Sequence, residues 1–262
     1  MRINKFREKL NAGSPTLGTH IHTTWPSMVE AVGHAGMYDY VEFVGEYGPF
    51  DLHDLDNLAR AGDLHDLSMM IKVDAENREY VAQRAVGSGF HSVLFADCRT
   101  PDEVRQCVHC VRPDTPEDGG GYGVASRRLA FMGYGGTPEY VQALRDIVVV
   151  MMIEKEAAVD KLEEMLSVEG VDMIQWGPAD YSMSIGKAGE RGAPEVSEAA
   201  EFVFKKAMEM GIPPRAEINS ADDAKRFLDM GVKDFCIGTD VTILFKWWQD
   251  HGDAMRRALE GE

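Results

Sequence analysis

Short apolar runs alternate along this chain with longer segments whose apolar residues recur at helical spacing, as strands alternating with helices do. The runs expected to be strands are residues 17–22, 39–44, 69–73, 91–96, 148–153, 171–176, 215–218 and 235–238. Helices are expected near 27–36, 52–61, 78–85, from Pro101 onward, after Glu154, and near 195–210, 222–230 and 240–259. Pro101 suits a first helical position, and Gly87 and Gly89 suit a left-handed helix end. Eight strands alternating with helices in 262 residues predict a single α/β domain, a (β/α)8 TIM barrel spanning residues 1–262. A doubly wound open sheet has the same alternation. No GxGxxG follows the first strand and no GxxxxGK[ST] occurs, so neither a dinucleotide site nor a P-loop is indicated. The rhythm breaks between Val111 and Thr137, where a Gly- and Pro-rich stretch predicts a long, functional or mobile loop.

In such a barrel the catalytic groups follow the strands and share one rim. The strand ends deliver His20 and His22, Glu46 and Tyr47, Lys72 with Asp74, Asp97 and Arg99, Glu154, Asp180, and Asp240. The rim is therefore expected to be acidic, with one well-placed cation, Lys72. Glu154 and Asp180 end consecutive strands and can converge, which suggests a hard divalent cation with open positions. The alternative is that Glu154 caps its helix and Asp180 opens a turn. His20 and His22 fall on one face of the first strand by its period of two.

Composition narrows the class. Hydrophobic residues at 44% suffice for a large core, and a net charge of −17 argues against nucleic acid as a partner. No run approaches the roughly 20 apolar residues of a membrane span, and the charged N-terminus lacks a signal core. A cytoplasmic enzyme or binding protein is expected. The four cysteines are too few and irregular for a disulfide scaffold, and Cys107-Val-His-Cys110 is read as half-buried helix cysteines rather than a zinc motif.

Four motifs then carry a resemblance that spans nearly the whole chain. Ile153-Glu154 and Val168-Glu169-Gly170-Val171-Asp172 precede Gly177-Pro178-Ala179-Asp180-Tyr181-Ser182. Ala35-Gly36-Met37-Tyr38-Asp39-Tyr40 leads to Gly45-Glu46, Gly123-Val124-Ala125-Ser126 lies in the long loop, and Phe235-Cys236-Ile237-Gly238-Thr239-Asp240 closes the barrel. In these the chain resembles the class II pyruvate aldolases of the HpcH/HpaI type. That family cleaves 4-hydroxy-2-oxo acids, such as 4-hydroxy-2-oxoheptanedioate and 2-dehydro-3-deoxyglucarate, to pyruvate and an aldehyde.

The resemblance implies that Glu154 and Asp180 bind Mg²⁺, Mn²⁺ or Co²⁺, the Lewis acid for a pyruvate enolate. It implies a small-molecule 2-oxo acid substrate whose carboxylate lies on the backbone of Gly177, Pro178 and Ala179. Glu46 would order the site through a water or a hydrogen bond to a ligand. It also implies a homo-oligomer, a hexamer or trimer, with exchanged C-terminal helices. On that helix, one of Trp247 and Trp248 is expected in the core and the other against a neighbour.

The departures are specific. Tyr47 stands where the family has His, and Val44 replaces the Asp that orients it. Lys72 replaces an Arg that contacts the keto oxygen, and Met152 replaces a Gln. A base is therefore expected from His20 or His22, with Tyr47 as a weaker proton donor. The HxH pair also resembles the first-strand zinc ligands of barrel amidohydrolases, and hydrogen-bonded structural histidines are a further alternative. Beyond aldol cleavage, the same residues fit another metal-enolate reaction (decarboxylation, hydrolysis or condensation) or a non-catalytic barrel that binds an oxo acid.

Overall fold

A computed structural model of the chain describes residues 3–125, 133 and 135–261. Eight parallel strands close into a barrel in chain order: β1 (Thr16–Ile21), β2 (Tyr40–Val44), β3 (Ser68–Val73), β4 (Ser92–Phe95), β5 (Val148–Ile153), β6 (Met173–Trp176), β7 (Pro214–Ile218) and β8 (Asp234–Thr239). The helices are α1 (Lys5–Asn11), α2 (Pro26–Ala35), α3 (Leu52–Leu64), α4 (Arg78–Ser88), α5 (Pro101–Val111) and α6 (Pro138–Arg145). They continue with α7 (Glu156–Asp160), α8 (Leu162–Leu166), α9 (Pro178–Ser184), α10 (Pro194–Glu209), α11 (Ala224–Asp229) and α12 (Asp240–Glu260). The expected barrel is the observed one.

β5 shows why these segments are strands. All six of its residues are buried because parallel strands are covered on both faces. Val148, Val150 and Met152 join the core inside the barrel, while Val149, Met151 and Ile153 join the core under the helices. The same period carries Glu154 inward one step beyond Met152. α5 begins where its sequence says it should: Thr100 and Glu103 form a capping box, and Pro101 opens the first turn.

The floor of the barrel is a plug. Asn4 caps α1 and donates to the carbonyls of His91 and Asp146, which draws α1 across the opening. Phe6 is thereby pressed onto the Tyr40 ring, centroids 4.7 Å apart. Gly18 makes room for that ring, since a Cβ there would lie 2.2 Å from Tyr40 carbons. α1 and the Phe6–Tyr40 contact thus close the N-terminal end of the barrel among the described residues.

Three expectations change. The cysteines are fully buried rather than half-buried, and Cys107 lies 3.6 Å from the Cys98 sulfur. Neither tryptophan of α12 enters the core: Trp247 and Trp248 are 57% and 61% exposed. The described part of the 111–137 stretch is partly ordered, with a bridge between Pro113 and Tyr122 and the Tyr122 hydroxyl donating to the Gln83 carbonyl. Ser126 of the loop motif falls outside the described residues. Among the described residues no helix is long and apolar enough to cross a membrane.

Candidate active site

A cavity of about 1130 Å³ opens at the C-terminal rim and runs outward toward α10 and α11. His20, His22, Tyr47, Lys72, Met152, Gly177, Pro178, Ala179 and Asp180 all line it, so nine of the residues singled out in the sequence come together. Glu46, Asp74, Asp97, Arg99 and Glu154 are not among its lining residues. Asp240 caps the turn after β1, accepting from the amides of His22 at 2.9 Å and Thr23 at 3.1 Å, which makes it a structural group.

Glu154 stands against the cavity wall. It is 1% exposed, its Oε1 accepts from the Asp97 amide at 2.8 Å, and its Oε2 has no hydrogen-bond partner. Burial pushes its carboxyl up to about 7, helped by nearby Asp180 and opposed by Lys72 and the Asp97 amide. An orphaned carboxylate oxygen in so buried a place is a donor awaiting a cation. Gly177 keeps that place open, because a Cβ there would lie 2.7 Å from Oε2. The donor set therefore fits a hard divalent ion on Glu154 and Asp180.

Lys72 is fixed at the opposite side. Its Nζ lies 2.5 Å from Glu46 and donates to the Tyr47 hydroxyl at 3.3 Å. Burial would lower its affinity for a proton, but Glu46 and Tyr47 raise it above the usual lysine value, so the ammonium is always charged. Glu46 thus holds Lys72 directly. Burial raises the Tyr47 phenol despite Lys72, so it is neutral and a donor at ordinary pH. The His22 ring meets the Tyr47 ring edge-on, centroids 5.7 Å apart.

Deeper in the barrel lies a polar cluster that sequence reasoning missed. Glu42 and Arg215 pair directly, and Arg215 also bonds Gln175 and the Tyr40 hydroxyl. His20 sits above them, Nε2 3.5 Å from Glu42 and Nδ1 3.7 Å from Glu217. Burial would raise the Glu42 carboxyl, but Arg215, then His20, hold it well below the usual range. Burial would likewise lower His20, but Cys236 and Glu42 hold it well above its usual value. His20 is thus held between two carboxylates, Glu42 and Glu217, which favour its protonated form. His20, Glu42 and Cys236 place donor atoms within 4.8 Å of one another, yet Glu42 is already neutralised by Arg215, which disfavours a dication there. The signal was available: Glu42, Arg215 and Glu217 share the inward phase of their strands with Tyr40.

The expectation of one rim cation also needs correction. Lys155, next to Glu154, places its Nζ 2.7 Å from both Asp97 and Asp180.

A family model described as HpcH/HpaI aldolase/citrate lyase matches residues 17–246. The chain belongs to that family. The membership bears out the aldolase-type lyase expected from the motifs. A Klebsiella pneumoniae protein named 5-keto-4-deoxy-D-glucarate aldolase is 28% identical over 255 residues, covering 97% of each chain. The structure of an HpcH/HpaI aldolase/citrate lyase family protein from Burkholderia cenocepacia superposes with a TM-score of 0.86 at 26% identity, covering 97% of this chain and 100% of that one. A citrate lyase beta subunit from M. tuberculosis, solved with oxaloacetate and magnesium, shares the fold at a TM-score of 0.59 and 13% identity, covering 87% and 93%.

Proposed function

We propose that the protein is a divalent-metal-dependent aldolase that cleaves a 4-hydroxy-2-oxo acid to pyruvate, or a related 2-oxo acid, and an aldehyde. The observation that carries this reading is the buried, unpartnered Oε2 of Glu154, packed behind Gly177 at the edge of a cavity lined by Asp180 and Lys72. The Klebsiella aldolase supports the substrate class, and the M. tuberculosis protein complexed with oxaloacetate and magnesium supports the metal. A bound Mg²⁺, Mn²⁺ or Co²⁺ would supply Lewis acidity toward the keto and carboxylate oxygens of the substrate.

The chain's own residues do the rest. Lys72, held by Glu46, presents a permanent positive charge to the keto oxygen as negative charge grows there, though as a point charge rather than an Arg fork. Gly177, Pro178, Ala179 and Met152 form the wall against which the oxo acid lies. His22, which lines the cavity against Tyr47, is the group that takes the proton from the 4-hydroxyl, since His20 is engaged between Glu42 and Glu217. Tyr47 keeps its phenolic proton and donates it as a hydrogen bond into the cavity.

The absence of a His–Asp pair at Tyr47 and Val44 favours a second reading within the same chemistry. There the site would carry out another metal-enolate reaction: decarboxylation, hydrolysis or condensation. A barrel that only binds an oxo acid would leave the C3 protons of pyruvate unexchanged with solvent, whereas any enolising enzyme exchanges them.

The test is retro-aldol turnover in metal-stripped protein with Mg²⁺, Mn²⁺ and Co²⁺ restored in turn, reading pyruvate release from a panel of 4-hydroxy-2-oxo acids. Metal-dependent release is expected. Metal binding without release would move the protein to the second reading.

We also infer a homo-oligomer. α12 is exposed from Val241 to its end and carries Phe245, Trp247, Trp248, Met255 and Leu259 in the open. A helix about 30 Å long with such a face is suited to packing on a neighbouring copy.

A further inference from the structure

Asp180, one of the two residues read as metal ligands, already has a cation in contact. The Lys155 ammonium lies 2.7 Å from Asp180 Oδ1 and 2.7 Å from Asp97 Oδ1, with its side chain only 10% exposed. This is a built contact. Asp97 occupies the left-handed region at φ 61°, which a non-glycine residue adopts only when its surroundings hold it there. In that conformation its amide is given to Glu154 and its carboxylate to Lys155. One residue at the end of β4 therefore ties both neighbours on β5 in place. The second, independent sign of a ligand is Glu154 Oε2, buried and without a hydrogen-bond partner.

We propose that Lys155 is a built-in counter-cation of the metal centre, which holds Asp97 and Asp180 in position in the metal-free protein and competes with the divalent ion for Asp180. The inference rests on the reading of Glu154 and Asp180 as the metal ligands. Three carboxylates, Asp97, Glu154 and Asp180, converge here and would repel one another without a positive charge among them. Lys155 supplies it. The same ammonium repels an incoming dication and engages one of the oxygens that the ion would use. The centre is therefore preorganised yet binds its ion weakly and exchangeably, and the ion must displace Lys155 from Asp180.

The experiment is a calorimetric titration of MnCl₂ into metal-stripped wild type, Lys155→Met and Lys155→Gln, with thermal melts in chelator and in Mn²⁺. Both substitutions are expected to tighten Mn²⁺ binding by about tenfold or more, and to lower the melting temperature in chelator with recovery on adding Mn²⁺. Equal or weaker Mn²⁺ affinity in folded variants would overturn the competition and leave Glu154 and Asp180 as ligands. A melting loss that Mn²⁺ does not recover would likewise mark a purely structural lysine. No binding in any of the three proteins would overturn the metal site itself together with this inference. If Lys155→Met fails to fold, Lys155→Gln retains a hydrogen-bond donor and decides the matter.

Discussion

Gly177 and Glu154 are packed so closely that no other residue fits beside that carboxylate: a Cβ on Gly177 would lie 2.6 Å from Glu154 Cβ and 2.7 Å from its Oε2. The glycine that follows β6 is thus a steric requirement of the residue that follows the neighbouring strand β5. Gly177→Ala is expected to push the Glu154 carboxylate aside. Misplacement of a site group by about 1 Å costs on the order of 10²-fold in turnover. A Mn²⁺ titration alongside steady-state kinetics checks this, and unchanged metal affinity would separate Glu154 from the ion.

Lys72 should matter to rate more than to stability. In the proposed reaction it carries the charge that faces the substrate, so Lys72→Met is expected to lower kcat by about 10²–10³-fold, the usual effect of removing one stabilising donor. Glu46→Gln should give a smaller loss, because it loosens Lys72 without removing it. The ordering of the two kcat values is the check.

The Glu42–Arg215 pair inside the barrel governs acid stability. In the folded protein Arg215 and His20 hold the Glu42 carboxyl well below its ordinary value of about 4.5, against the effect of burial. Its contribution is therefore fully present above about pH 4.5 and is lost as pH falls below that value. Urea midpoints measured from pH 7 to pH 3 should fall more steeply in wild type than in Glu42→Gln. Equal slopes would assign acid lability elsewhere.

Arg215→Met should be far more damaging at neutral pH than a surface change. It leaves Glu42 buried and without its guanidinium, a loss of about 3–5 kcal/mol for a broken buried pair. Denaturant melts would show it directly.

α12 offers the simplest test of assembly. Trp247→Glu combined with Trp248→Glu charges its exposed apolar surface, and light scattering is expected to show smaller particles than wild type. An unchanged mass would mean that α12 does not hold the copies together.

Much of this protein was legible without a structure, and the reason is periodicity. Parallel strands covered on both faces read as apolar runs such as Val148–Ile153, and their ends announce rim residues such as Glu154 and Asp180. The barrel, the family and nine of the cavity residues follow from that one-dimensional pattern and from the Gly-Pro-Ala-Asp spacing. What the sequence could not decide is which charges meet. Lys155 reads as an ordinary helix-start lysine, yet β4 and the turn after β6 bring Asp97 and Asp180 to within 2.7 Å of it. Glu42 and Arg215 are far apart in the chain and become partners only because β2 and β7 face across a closed barrel. His20 and His22 share one strand face, yet His20 is buried between Glu42 and Glu217 from other strands, whereas His22 meets the Tyr47 ring at the cavity. Strand order and phase are local properties written in the chain, whereas the charge state of a buried group depends on neighbours that only closure of the barrel supplies.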